Sequence, residues 1–376
     1  ELKQKIIQDP NFKLKPYDLV NYAENYTEPE LINENWIKIQ VKLGGICGTD
    51  MHTMNIQQSM VLSPFSSFPA VPGHEIVGKV VEIGKNVDNL QIGDRVICDT
   101  NLCCEVRGIE PCPQCLAGDY NLCANLDKGD ISPGITFGYC KDTGGGWGEY
   151  VIAHHNYVYK LPESLTWKQA LIAEPVSCAL HGILKHKPEE NDTCVVIGCG
   201  TIGLSVITTL KALGVNRIYA TARYDFQGEL AKKLGADEVF ITKKDLHIKK
   251  LARKLDSRIL SPPLEAAYPI GGGADIVYDS VGNASSIEDS LRLIKTKGIL
   301  LLIGYPSTIE VDWTPLISKE VSVISSNIFG HDNFRGERKR TMEIALDLIS
   351  SQRVNVDPFV THSLSLENYK EALKIA

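Results

Sequence analysis

Between residues 36 and 43 the chain alternates, with Ile37, Ile39, Val41 and Leu43 set against Lys38, Gln40 and Lys42. That period of two predicts a half-buried strand that ends just before Gly44. Shorter runs of the same kind, at Ile76–Gly84 and Asp94–Ile97, predict two further strands separated by Gly- and Asn-containing turns. Residues 1–35 are polar and irregular, with Pro10, Pro16 and Pro29 interrupting any long helix. Residues 54–72 carry Pro64, Pro69 and Pro72 and read as a loop. The first part of the chain is therefore expected to be β-rich and compact, a distorted barrel.

The pattern then changes. Leu171–Gly182 is apolar enough for a buried helix and has a carboxylate, Glu174, at its entrance. From Asn191 onward, strands and helices alternate. Strands are expected at Thr193–Ile197, Arg217–Thr221, Glu238–Ile241, Asp275–Asp279, Ile299–Ile303 and Val321–Ser325, with helices through Leu213 and near Gln227–Leu234. Such alternation implies an α/β class, with a parallel sheet of about six strands covered on both faces by helices. Two units are expected: residues 1–175, completed by 328–376, and residues 176–327.

Composition narrows the field. The chain has 376 residues, 43% hydrophobic and 23% charged, with a net charge of −7. Neither nucleic acid nor an anionic membrane is invited by that balance. The longest apolar run, Ile299–Ile303, is far too short to span a bilayer. No secretory leader pattern follows Glu1, so cytoplasmic residence is expected. Cysteines number 11, and Cys103, Cys104, Cys112, Cys115 and Cys123 crowd one segment. In a long chain without a leader, that crowding points to metal rather than disulfides. Cys112-Pro113-Gln114-Cys115 is a metal knuckle and Cys123 lies eight residues further on, with Cys104 or Cys103 as the fourth thiolate of a closed, structural zinc site.

A second metal site is expected where Gly44-Gly45-Ile46-Cys47-Gly48-Thr49-Asp50-Met51-His52 is followed by Gly73-His74-Glu75. Cysteine, histidine and carboxylate are borderline-soft donors that suit zinc, and three protein ligands leave a fourth position open for substrate. Glu174, costly to bury unpaired, needs a cation nearby, and this zinc would provide it.

Directly after the expected strand Thr193–Ile197 comes Gly198-Cys199-Gly200-Thr201-Ile202-Gly203, and an apolar helix follows. In that context the glycines form a dinucleotide loop: Gly198 for the tight turn, Gly200 for close approach of a pyrophosphate, Gly203 for helix–strand packing. The helix N-terminus at Thr201 and Ile202 supplies free N–H groups. Some twenty residues on, where an acid would bind the ribose of NAD, the chain reads Ala222-Arg223-Tyr224-Asp225. A guanidinium in place of a carboxylate favours NADP, while Asp225 keeps NAD open.

Taken together and in order, these motifs resemble the zinc-dependent medium-chain alcohol dehydrogenases, particularly their polyol and threonine dehydrogenase branch. The similarity rests on G-I-C-G-T-D at Cys47, G-H-E at His74, Asn121–Cys123, A-E-P at Glu174, the glycine loop and Gly235-Ala236-Asp237. It implies a GroES-like catalytic unit and a Rossmann unit. It further implies catalytic zinc on Cys47 and His74 with Glu75 or Glu174 as third ligand, Thr49 at the reacting oxygen and His52 further along a proton relay. Asp279-Ser280-Val281-Gly282 and Ile303-Gly304 would lie beside the nicotinamide, and the family's habit implies a dimer or tetramer. One departure stands out: the family's usual cysteine three residues before Cys112 is Ile109 here, with Arg107 and Gly108 in an apparent insertion. The expected activity is reversible hydride transfer between NAD(P) and a secondary alcohol, polyol or sugar. An NADP-linked aldose dehydrogenase or carbonyl reductase is the nearest rival, and a zinc- and dinucleotide-binding protein without turnover is the alternative from another class.

Overall fold

The computed structural model describes residues 19–57, 59–243, 246–263 and 266–376; the expected breakers Pro10 and Pro16 lie outside them. Strand β1 (Trp36–Gly44) buries Trp36, Ile37 and Ile39, while Lys42 is exposed, as its alternation requires. With β2 (Ile76–Ile83), β3 (Arg95–Cys98), β4 (Tyr150–His154) and β5 (Val158–Lys160) it forms a five-stranded antiparallel sheet in the order β4-β1-β2-β3-β5. Register breaks between Lys38 and Ile39, and between Val41 and Leu43, bend β1 against β2.

The end of that pairing positions the chemistry. Gly44 sits opposite Ile76, so the chain leaving β1 and the chain entering β2 share one end of the sheet. Cys47 is thereby brought beside His74 and Glu75, and a short helix, α1 (Gly48–Met54), starts immediately after Cys47. Residues 54–72, expected as plain loop, contain a 3-10 turn at Met60–Phe65 that accommodates Pro64.

The second sheet has six parallel strands in the order β13-β12-β11-β6-β7-β8. They are β6 (Thr193–Ile197), β7 (Arg217–Ala222), β8 (Glu238–Ile241), β11 (Ala274–Asp279), β12 (Ile294–Leu302) and β13 (Ser322–Ser325), with β9 (Arg258–Leu260) and β10 (Tyr268–Ile270) paired apart as a hairpin. Cys194, Val195 and Val196 are wholly buried, as a central parallel strand covered on both faces must be. Strand order reverses at β6/β11, and a ligand crevice is expected outside the carboxyl ends of those two strands. Strand β12 begins earlier than its apolar core at 299–303. Its first half exposes Lys295 and Lys297, the latter at φ 60°, so the hydrophobic pattern starts only halfway along.

Helix α2 (Ala173–Lys185) is almost entirely buried and packs against α3 (Thr201–Ala212) and α7 (Thr341–Ser350). Helix α4 (Asp225–Leu234) starts at Asp225 rather than near Gln227, while α5 (Leu246–Lys254) and α6 (Ala284–Leu293) cover the parallel sheet. A hairpin of β14 (His331–Phe334) and β15 (Glu337–Arg340) leads into α7. Among the described residues no helix is long and apolar enough to cross a membrane.

Candidate active site and metal centres

A cavity of about 340 Å³ lies between the two sheets, within the range of small-molecule sites. Cys47, Thr49, His52, His74, Glu75, Glu174 and Cys178 line it from one side. Gly200, Thr201, Ile202, Ser280, Val281, Ile303 and Gly304 line it from the other. Of the expected nucleotide residues, Gly198, Gly203, Arg223 and Tyr224 are not part of this wall.

Local structure explains the placement of each donor. Cys47 precedes the first residue of α1, and its N–H donates to Asp50 Oδ2 at 3.0 Å, so the acid three residues on fixes the cysteine backbone. The other carboxylate oxygen, Asp50 Oδ1, lies 3.4 Å from His74 Nδ1. One buried acid thus touches both expected ligands. Glu75 folds its carboxylate over Gly45, whose N–H donates to the Glu75 carbonyl at 2.9 Å; a Cβ at Gly45 would run into Glu75 Oε2. Glu174 projects from the first turn of α2, and Cys178, one turn further on, donates to its Oε1 at 3.7 Å.

The electrostatics suit a cation. Burial, with help from Glu174, pushes the Glu75 carboxyl up to about 8, and burial pushes Glu174 up to about 7. Burial opposes a protonated His74, yet Asp50 and Cys47 outweigh it and hold the ring well above its ordinary value. His74 Nδ1 is buried without a hydrogen bond. An imidazole, a thiol and two carboxyls sharing one cavity form a donor set that fits zinc.

The cysteine lobe is drawn together more tightly. The sulfurs of Cys104, Cys112, Cys115 and Cys123 all lie within 4.8 Å of one another, the one such set of metal donors among the described residues. Cys47, His74, Glu75 and Glu174 share a wall without that degree of convergence. Cys103 is not one of the four: its thiol donates to Tyr157 Oη at 2.9 Å, although it also lies against Cys115. N–H groups of Cys112 and Asn125 reach the Cys104 and Cys123 sulfurs at 3.3 and 3.4 Å, contacts that suit metal-bound sulfur. Burial works against ionised Cys112, but N–H groups of Ala124 and Cys115 bring it down to about 6. The fully buried Arg107 guanidinium donates to the carbonyls of Leu102, Lys128, Ile131, Ser132 and Gly134, so the arginine braces the lobe from within. Cys115→Ser should lower bound zinc by about one atom per chain and reduce the thermal midpoint by at least ~5 °C, checked by elemental analysis and calorimetry. Unchanged zinc content would remove the lobe as a metal centre.

At the glycine loop, Gly198 adopts φ 88° and Gly200 precedes the first turn of α3. Ser280 Oγ donates to the carbonyls of Ile197 and Gly198 at 2.8 and 3.1 Å, tying the β6 and β11 ends together. The Asp279 carboxylate accepts from the N–H groups of Val281 and Gly282 at 2.8 and 2.9 Å and shapes that turn. Arg223 and Tyr224 sit at the end of β7, with the guanidinium 5.5 Å from the Tyr224 ring centroid and Tyr224 stacked on Phe226 at 5.8 Å.

Several wall residues were not expected from the sequence. Tyr139 Oη lies 2.8 Å from Thr53 Oγ1 and donates to the Thr49 carbonyl at 3.2 Å, bracing the turn of α1 that carries Thr49. Cys178 and the Ser326–Ile328 segment of the wall were also missed, as was Asp50, which lies behind the wall against Cys47 and His74. Asp50 alone left a signal, the spacing of an acid three residues into a helix start.

Two family models match: an alcohol dehydrogenase GroES-like domain over residues 33–163 and a zinc-binding dehydrogenase over residues 201–350. D-arabinitol dehydrogenase 1 of Uromyces fabae is 30% identical over 346 residues, covering 91% of this chain and 87% of that protein. L-threonine 3-dehydrogenase of Bacillus velezensis is 30% identical over 348 residues, covering 92% and 89%. Among solved structures, a zinc-binding dehydrogenase from Sinorhizobium meliloti 1021 bound to NADP superposes with a TM-score of 0.73 at 26% identity, covering 93% of this chain and 91% of that one. With two domain models in register and a relative at this identity over almost the whole length, the chain belongs to the zinc-type medium-chain alcohol dehydrogenases, in their polyol and threonine dehydrogenase branch.

Proposed function

We propose that this NAD(P)-dependent oxidoreductase interconverts a secondary hydroxyl of a polyol or sugar alcohol and the matching ketone, with NADP preferred. One observation carries the reading: the Cys47, His74, Glu75 and Glu174 donors and the glycine loop at Gly200–Ile202 face each other across a single cavity. A hydride donor and acceptor must approach to van der Waals contact, and only such a shared cavity permits it.

Cys47 and His74 would hold the catalytic metal, with Glu75 or Glu174 as the third ligand. When bound, zinc supplies Lewis acidity toward the carbinol oxygen and the dinucleotide takes up or returns the hydride. The remaining work belongs to the chain. Thr49 lines the cavity, and His52, exposed on α1, faces it from the solvent end, an order suited to passing a hydroxyl proton outward. Ile46, Leu62, Ile135 and Ile328 form apolar walls that exclude water. Gly200, Thr201 and Ile202 present the N-terminus of α3 to the pyrophosphate, while Ser280, Val281, Ile303 and Gly304 would flank the nicotinamide. In this reading residues 1–175 with 328–376 form the catalytic unit and 176–327 the dinucleotide unit. The edge strand β13, carrying exposed Val323 and preceded in the chain by exposed Trp313 and Ile317, is the surface through which copies would associate.

Support for a polyol comes from the named activity of the Uromyces relative, and support for NADP from Arg223 at the end of β7. Absorbance at the reduced-nicotinamide band, scanned over polyols, sugars and ketones with each dinucleotide, tests the assignment. Zinc-loaded protein that turns over none of them would instead be a binding protein. Arg223→Asp should shift the NADP/NAD ratio of kcat/KM toward NAD by about 100-fold, since it replaces a charge-assisted phosphate contact by repulsion. A ratio that does not move rejects Arg223 as the selector.

A further inference from the structure

Ile328 lines the cavity at φ 50°, a left-handed conformation that is a genuine outlier for a β-branched residue. Strain of this kind persists only where the surroundings over-determine the backbone. The constraints on either side of Ile328 come from the cysteine-lobe region. The Asn121 side-chain amide donates to the Asn327 carbonyl at 2.7 Å, and the Asn327 amide donates back to the Asn121 carbonyl at 3.2 Å. Asn101 Nδ2 donates to the Phe329 carbonyl at 3.2 Å. His331 Nδ1 reaches the Gly118 carbonyl at 2.8 Å, and a Cβ on Gly330 would run into Asn121 Oδ1. Asn121 is itself buried, two residues before Cys123, and its Nδ2 lies 3.4 Å from His181 Nε2 on α2.

We infer that Asn121 is a positioning residue, reaching from the cysteine lobe to hold Ile328 in the cavity wall and so set the fit of the alcohol. The lobe is then more than a local staple: its last turn shapes the wall that faces substrate. Segment 326–331 is the passage from β13 to β14, tied at its start by Ser326 N–H to the Leu302 carbonyl at 3.0 Å and at its end by Thr341 to the Gly330 carbonyl at 2.9 Å. Between those ties, the carbonyls on both sides of Ile328 depend on the side-chain amides of Asn121 and Asn101. Without Asn121, Ile328 can relax toward negative φ and its side chain leaves the wall.

The kinetic readout rests on the dehydrogenase reading; the second readout does not. The full-length, zinc-loaded Asn121→Ala and Asn121→Ser variants are compared with the parent for kcat and KM, for zinc content, and for amide hydrogen exchange of the peptide spanning 326–331. Expected are a KM for the alcohol raised about 10-fold with kcat within about twofold, exchange of 326–331 faster by about 10-fold, and zinc unchanged. The serine variant, smaller but polar, serves if the alanine variant does not fold. Exchange of 326–331 at the parental rate with zinc retained overturns the inference. So does a rise in KM that tracks zinc loss, which would make Asn121 a support of the lobe alone. If the parent turns over no alcohol but its exchange responds to Asn121, the functional reading fails and the hold of Asn121 on the Ile328 wall stands.

Discussion

Cys47→Ser is expected to lower kcat/KM by at least ~10³-fold, the several kcal/mol that a Lewis acid contributes, while zinc falls from about two atoms per chain to about one. Serine is nearly isosteric but binds zinc far more weakly than thiolate, so the loss is one of coordination and not of shape. The fold should survive, because what places residue 47 is backbone. Its N–H is held by Asp50, and β1 delivers it by pairing Gly44 with Ile76. With the ion gone, two buried carboxyls and His74 have no cation to share, and protons must take its place on Glu75 and Glu174. The variant should therefore keep its lobe zinc and its far-ultraviolet spectrum while losing turnover. Parental activity with two zinc atoms per chain would take Cys47 out of the site.

How much of this was legible in the chain depends on whether a residue acts through its neighbours in sequence or across the fold. The glycine loop was readable because the strand before it, the turn and the helix after it are contiguous, and Thr193–Ile197 runs as the pattern predicts. The alternation of β1 and the apolar run of α2 were readable for the same reason. The first half of β12 was not, because exposed lysines hide the pattern and the strand is irregular there, with Lys297 at φ 60° and a register shift against β11. Spacing left Cys103 and Cys104 equivalent; the structure bonds Cys103 to Tyr157 and brings Cys104 to the other three sulfurs, contacts that only the folded lobe creates. Tyr139, Cys178 and Ile328 reach the cavity only through tertiary packing, and no local motif marks them. Glu174 was an intermediate case. Its buried charge implied a cation, yet only the fold places it in one cavity with His74 and Glu75.

Gly200→Val should leave stability almost intact, with the thermal midpoint within about 2 °C of the parent, yet weaken dinucleotide binding by at least ~100-fold. The two halves of that expectation come from one geometric contrast. At Gly203 a Cβ would run into the Gly198 carbonyl and crowd Ser280 Oγ, so that glycine serves helix–strand packing. At Gly200 a Cβ meets no protein atom within 4 Å, and its φ of −77° suits any residue. Nothing in the protein therefore requires glycine at position 200. The requirement must come from whatever enters the cavity that Gly200 lines, at the N-terminus of α3 where unpaired N–H groups favour a phosphate. A valine there keeps those groups but stands off the pyrophosphate by the bulk of its methyls, lengthening every backbone contact at once. Fluorescence titration with NADPH measures the loss, and calorimetry checks the fold. Gly203→Val is the control and should lose midpoint and cofactor together. Parental affinity in Gly200→Val would mean the dinucleotide does not cross the loop at this residue, and the placement of both glycines would have to be redrawn.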